Sequence, residues 1–325
     1  MNVYDHIASN TRRTVLILCA FPIALFVVLY LFCGFLVGLD PSLTWRMGIL
    51  VRGTWSAGFD LALKCYPWII LVVSLWIVFS CFGGDGMILG AAHARPVTRE
   101  EHLELFRLVE NTAIMAGLPT PKIYLIDDPS LNAFATGRTP QTASIALTEG
   151  IVEKLDRLEL QAVIAHELGH IGNRDTRLML ITIAGIGCFI FLGEMLLRMA
   201  CSRSRNKDSD KGGGIFLIAA LGCLVFGYLV APLLRFALSR RREYQADATA
   251  ARITHDPGSL ARALSKIVQD PRVEVLDSSP LVGNLCIANP ADQNGFLSFV
   301  SHLYATHPPV IDRIQTLQKM IDARD

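Results

Sequence analysis

Charge is scarce in this chain. Of its 325 residues only 18% are Asp, Glu, Lys or Arg, against 52% hydrophobic, and the mean hydropathy is +0.41. A soluble domain carries about 25% charged residues, so this composition excludes an ordinary soluble enzyme. Nor does either sign dominate. Lys and Arg number 30 and Asp and Glu 29, for a net charge of +1. No global field is available to gather nucleic acid, which is therefore not expected as a partner. The eight cysteines include no Cys-x-x-Cys pair, and Cys19, Cys33, Cys81, Cys188 and Cys223 lie in apolar runs. That excludes a disulfide or zinc-thiolate framework and leaves the thiols as small buried apolar residues.

What the chain has instead is long stretches without charge. Residues 15–39 are 25 uncharged residues following Arg12 and Arg13, long enough to cross a bilayer with some tilt. They lack the short apolar core and cleavage site of a signal peptide and are expected to be a first membrane helix. Residues 40–64, with Arg46, Arg52, Trp45 and Trp55, read as a loop against the interface. Residues 65–84 give 20 more uncharged positions and a second span. A third run, 178–197, is interrupted only by Glu194, with Arg198 one turn away, and a fourth, 212–234, has 23 uncharged residues. This pair is either a full transmembrane hairpin or a partly embedded one; length favours spanning.

Between the pairs the composition is that of a folded polar domain. The spacing predicts a helix over 99–115 ended by Gly117-Leu-Pro119, a strand over 122–126, a turn at 127–130 and a strand over 144–147. Asn132-Ala-Phe-Ala-Thr-Gly137 has the small residues and glycine of an edge strand that another backbone approaches closely, or of an ordinary hairpin.

The chemistry concentrates at His166-Glu-Leu-Gly-His170. On a helix the two histidines stand on one face and can bind one metal ion. Glu167, about 100° round the helix, stands where it can take a proton from metal-bound water rather than ligate. Asp156 and Glu159 have capping-box spacing, Leu158, Val163, Ile164 and Leu168 supply an apolar side, and Gly172-Asn173 supplies a stop. A catalytic zinc takes three protein ligands and keeps a position open. Glu243, in the alanine-rich helical stretch 239–248, is the candidate third ligand; Asp247, at i+4, would hydrogen-bond the far nitrogen of a ligand histidine, His166 being the expected one. The alternative is a solvated Glu and Asp on a surface helix. Residues 259–269 read as a further helix. Near the end, Thr306-His-Pro-Pro-Val-Ile-Asp-Arg313 sets an extended His307 before a helix that starts near Pro309 and carries Arg313.

Four stretches, 132–137, 166–170, 242–247 and 306–313, together resemble the HtpX family of membrane-embedded zinc metalloproteases, relatives of the CAAX prenyl proteases. The resemblance implies one zinc ion per chain on His166, His170 and Glu243, with Glu167 as general base. It implies that Asn132, Ala133 and Phe134 belong to a substrate-binding edge strand and that His307 and Arg313 line the catalytic site. It also implies protein or peptide substrates, membrane or unfolded proteins among them, in bacterial membrane-protein quality control. The fold expected is mainly α with a small β-sheet, a zincin-like domain joined to four transmembrane helices. Its parts would be a membrane region 1–90, protease segments 91–177 and 239–325, and a membrane pair 178–238 between them. Positive charges near the span ends divide nine to eight between the two sides. The inner-membrane location and cytoplasmic catalytic side therefore come from the resemblance, not the charge rule. Two other readings remain: a processing protease of the CAAX prenyl type, and a catalytically silent membrane scaffold. No feature points to an oligomeric state.

Overall fold

The computed structural model describes residues 53–204, 240–269 and 310–322 throughout, with parts of 12–49 and 217–224. His307 and most of the fourth apolar run lie outside the described residues. In chain order the elements are α1 (Leu25–Gly38), α2 (Thr54–Ala91), β1 (Arg95–Pro96), α3 (Leu103–Ala116), β2 (Lys122–Ile126) and β3 (Ala133–Thr136). After a 3-10 turn at Pro140–Thr142 come β4 (Ser144–Thr148), α4 (Glu149–Lys154), α5 (Arg157–Gly172), α6 (Asp175–Ser204), α7 (Arg240–Thr254), α8 (Pro257–Ile267) and α9 (Val310–Asp322). The chain divides into two compact units.

One unit comprises residues 11–80 and 184–234. Cys33 and Val37 of α1 pack with Ile49 and with Ala57, Leu61 and Ala62 of α2, and the Tyr66 hydroxyl donates to the Pro22 carbonyl at 2.9 Å. Trp68, Leu71, Val72, Leu75 and Phe79 of α2 face outward. The segment Thr54–Trp76 is long and apolar enough to cross a membrane, and only 22% of its most apolar window is buried, unlike a soluble core helix. It is the one such helix among the described residues. The helix starts at Thr54, so residues 54–64, expected as loop, form its first three turns; Asp60 and Lys64 interrupt the uncharged pattern there without ending the helix. Glu194 and Arg198 of α6 do pair, at 3.8 Å and exposed.

The other unit, residues 1–10, 81–183 and 235–325, holds the sheet and the motif helices. The sheet runs β1-β2-β4-β3, with β2 and β4 parallel and both outer pairs antiparallel. β3 is thus an edge strand among the described residues. Gly137 closes it at φ +133, and a Cβ there would stand 2.5 Å from Ala143 Cα. That combination of a left-handed backbone and a close chain suits only glycine.

Helix α5 is the centre of this unit. The Asp156 carboxylate accepts the N–H groups of Leu158 and Glu159, each at 2.9 Å, and Glu159 accepts the Asp156 N–H at 3.0 Å, completing the capping box. The Glu159 carboxylate, though buried, also accepts from Lys266 Nζ at 2.6 Å and so fastens α5 to α8. Nearly every residue from Glu159 to Ile171 is buried, because β3 lies on one side and α3, α7 and α8 on the others. The expected one-sided amphipathic pattern is therefore incomplete, and Leu158, expected inside, is 54% exposed. Gly169 sets the closest approach: a Cβ there would lie 3.4 Å from Ala246 Cα and Thr249 Cβ of α7.

Candidate metal centre and active site

One turn of α5 separates His166 and His170, whose rings stand edge to face with centroids 4.8 Å apart. Their Nε2 atoms approach to 3.2 Å. The α7 backbone, admitted by Gly169, brings the Glu243 carboxylate to 3.7 Å from each Nε2. The three ligand atoms lie within 4.8 Å of one another, and all three residues are buried. Both Nδ1 atoms face carboxylates: Asp247 at 3.0 Å from His166 and Asp175 at 3.1 Å from His170.

This arrangement fits a metal ion. With each Nδ1–H donated to a carboxylate, both Nε2 lone pairs aim at a common point, a repulsive geometry unless a cation lies between them. Two nitrogens each about 2.0–2.1 Å from a tetrahedral zinc stand about 3.3 Å apart, close to the observed 3.2 Å. The formal charges agree. Among the described residues, Glu167, Glu243, Asp175 and Asp247 set four negative charges around the histidines, and Arg242 and Arg313 return two positive ones, a deficit that one divalent cation fills. The titration behaviour has the same cause. Burial alone would lower the His170 pKa, but the Glu243 charge and the Asp175 carboxylate hold it up at about 9. His166 is raised likewise: burial is outweighed by Asp247 and Glu243.

Asp247 stands on the opposite balance. Burial would raise its pKa, yet the Arg313 guanidinium and His166 bring it down to about 2. Arg313, fully buried, donates to Asp247 from Nε at 3.0 Å and from Nη2 at 2.7 Å, and its Nη2 lies 3.4 Å from His166 Nε2. Its guanidinium thus lies against the His166 ring beside Asp247, and its Nη1 stands 3.9 Å from Glu243 Oε2. Glu167 is buried on α5 next to His166, and its charge acts on both His170 and Arg313.

Beside α5 runs the edge strand. Phe134 is buried among Ile88, Leu89, Ile126, Ala146 and Leu180, and Ala133 is buried too, so their side chains serve the core and the strand presents backbone. Asn132 receives the Ala133 N–H on its Oδ1 at 3.0 Å and donates its own N–H to Thr148 Oγ1 at 3.0 Å. Thr136 donates to Asp85 of α2 at 2.9 Å.

Two residues of the centre escaped sequence reading. Asp175 lies past the end of α5, where Arg174 takes φ +60 and the chain turns back toward His170. Arg242, which opens the 242–247 stretch but has no role of its own assigned by the sequence, reaches Asp175 Oδ1 from Nη1 at 3.4 Å. An Asp five residues after the second histidine, across a helix stop, was the available signal.

Residues 99–321 match the family model of peptidase family M48. The chain belongs to that family. Its relatives include proteins called protease HtpX homolog. That of Bacteroides fragilis strain YCH46 is 41% identical over 317 residues, spanning 96% of this chain and 97% of the relative. The Dictyoglomus thermophilum protein is 37% identical over 98% of this chain and 94% of its own. The Streptococcus uberis protein is 33% identical over 98% and 100%. Among solved structures, Ste24p of S. mikatae aligns with 80% of this chain and 60% of its own at 21% identity and a TM-score of 0.48. As a member of M48 of the HtpX type, the chain is a metalloprotease, mainly helical with a small mixed sheet.

Proposed function

We propose that this chain is a zinc-dependent endopeptidase of the membrane, with one zinc ion held by His166, His170 and Glu243, that cleaves membrane or unfolded proteins in quality control. The observation that carries the reading is the convergence of two Nε2 atoms and one carboxylate, with both far nitrogens engaged by carboxylates. Zinc suits two imidazoles and a carboxylate, and when bound it supplies Lewis acidity, polarising a carbonyl and acidifying a water. The rest is done by the protein. Glu167, rotated from the ligand face, accepts the proton of the attacking water and passes it to the leaving amine. β3 pairs backbone to backbone with an extended substrate, because its outer side pairs with no strand among the described residues. Asn132 fixes the entry of that strand, and Ala133 and Phe134 hold it to the core while offering their peptide groups. His307 supplies a second donor toward the developing oxyanion. Arg313 serves the site through its contacts with Asp247, His166 and Glu243.

The outward apolar face of α2, the uncharged runs and the HtpX relatives support a four-span bacterial membrane protein; the cytoplasmic placement of its protease unit rests on the family resemblance. Glu167→Gln tests the chemistry. The purified full chain in detergent should keep one zinc per chain, lose proteolysis of an unfolded protein by roughly 10²–10⁴-fold, and retain uncleaved substrates from membranes. Cleavage by this variant at a near-normal rate would remove Glu167 as the base.

A further inference from the structure

The catalytic reading uses Asp247 and Arg313 beside His166, and a second pair of the same construction stands behind His170. Asp175 Oδ2 lies 3.1 Å from His170 Nδ1, and its other oxygen, Oδ1, lies 3.4 Å from Arg242 Nη1. Both side chains are nearly inaccessible: Asp175 is 2% exposed and Arg242 5%. A buried carboxylate and guanidinium cost several kcal/mol to desolvate, so their placement on a ligand histidine needs a return beyond stability.

We propose that Asp175 and Arg242 are positioning residues for the metal: Asp175 fixes the His170 ring and its Nδ1–H tautomer, and Arg242 fixes Asp175. The inference rests on the metal-site reading above. Three observations carry it. First, a ligand imidazole bound through Nε2 must keep its proton on Nδ1, and only an acceptor in the ring plane enforces both tautomer and rotation. Asp175 has one oxygen for that task and one for the arginine. Second, Asp175 is not on the helix that carries His170. It opens α6 beyond a residue at φ +60, so the contact requires a turn in a conformation uncommon for a side-chain-bearing residue. Third, Arg242 precedes Glu243, the third proposed ligand, on α7. The ion pair joins two positions 67 residues apart, and it ties the strand of contacts behind His170 to the helix that delivers Glu243. All three ligands are thereby held in one frame: His166 through Asp247 and Arg313, His170 through Asp175, and Glu243 through the α7 turn that Arg242 anchors.

A competing role exists, because an aspartate in the first turn of a helix stabilises that helix through its N-terminal partial charge. The two roles separate in the metal-free protein. The full-length chain in detergent micelles should be compared with Asp175→Asn, Arg242→Gln and Arg242→Lys. Readouts are the zinc dissociation constant by chelator competition, the visible absorption of the cobalt-loaded form, and the melting temperature after metal removal. Positioning predicts a zinc affinity about 10–100-fold weaker for Asp175→Asn, a smaller loss in the same direction for Arg242→Gln, partial recovery in Arg242→Lys, and altered cobalt bands in the first two. Wild-type affinity and cobalt bands with a lowered metal-free melting temperature would overturn the proposal in favour of helix stabilisation. If Asp175→Asn does not fold, the Arg242 pair carries the same comparison: Gln must lose affinity and Lys regain it. Glu243→Ala distinguishes the two levels. If it loses zinc while the Asp175 and Arg242 variants do not, positioning fails and the metal site stands. If it binds zinc as the unaltered chain does, the metal site fails and this inference with it.

Discussion

Arg313 is completely buried and gives two of its donors to one carboxylate, Asp247, whose other neighbour is His166 Nδ1. Removing one member of such a buried pair costs about 3–5 kcal/mol, because the partner charge is left uncompensated. Arg313→Ala should therefore lower both the melting temperature and zinc retention, while the turnover of molecules that still hold zinc stays within severalfold of the unaltered enzyme. Metal content and turnover measured on the same preparation check this. A variant that folds and holds zinc normally but turns over about 10²–10³-fold more slowly would place Arg313 at the transition state after all.

Among the elements, α5 was the most legible, and the reason is that its signals are local. Asp156 and Glu159 sit three residues apart and make their reciprocal bonds without help from the rest of the chain. The strand at Lys122–Ile126 was visible for the same reason, as a short alternating run between turns. What the sequence hid is tertiary. β1 is two residues long and exists only because Arg95 and Pro96 lie beside Leu125 and Tyr124. Asp175 meets His170 only after the left-handed turn at Arg174, and Leu158 is left outside because the cap turns it away from the core. Glu159 likewise does more than cap, since Lys266 of α8 shares its carboxylate and Arg262 stands at 3.8 Å. Glu159→Ala should cost about 1–2 kcal/mol, mainly the lost cap bond, since Lys266 and Arg262 are partly solvated and their share is screened. The defect belongs to the helix end rather than the site. Thermal denaturation in detergent should show the loss, and zinc affinity of the folded protein should not change. A large fall in affinity would mean that the start of α5 positions the histidines, contrary to the tight packing that surrounds them.

For the whole molecule, the division into two units makes metal removal a selective perturbation. Every proposed ligand and supporting group, His166, His170, Glu243, Asp247, Asp175, Arg242 and Arg313, belongs to the unit that contains the sheet, and none to the unit containing residues 11–80. A ligand that binds only the folded site stabilises it by RT ln(1 + [L]/Kd), about 4 kcal/mol at a thousandfold excess over Kd. Chelation removes that term and leaves the carboxylates around the two imidazoles without the divalent charge that balanced them in the core. The helices that carry those groups, α5 and α7, are in direct contact through Gly169 and Ala246 and should loosen together. The α1 and α2 hairpin is held by its own contacts, Cys33, Val37, Ala57 and Leu61 among them, and should be indifferent. Hydrogen exchange on the full chain in micelles, with zinc and with a chelator, reads this directly. Amides of residues 157–172 and 240–254 should exchange faster without metal, those of residues 54–76 should not, and added zinc should restore protection. Equal loss across both regions would show that the two units unfold as one and that the metal supports the entire molecule.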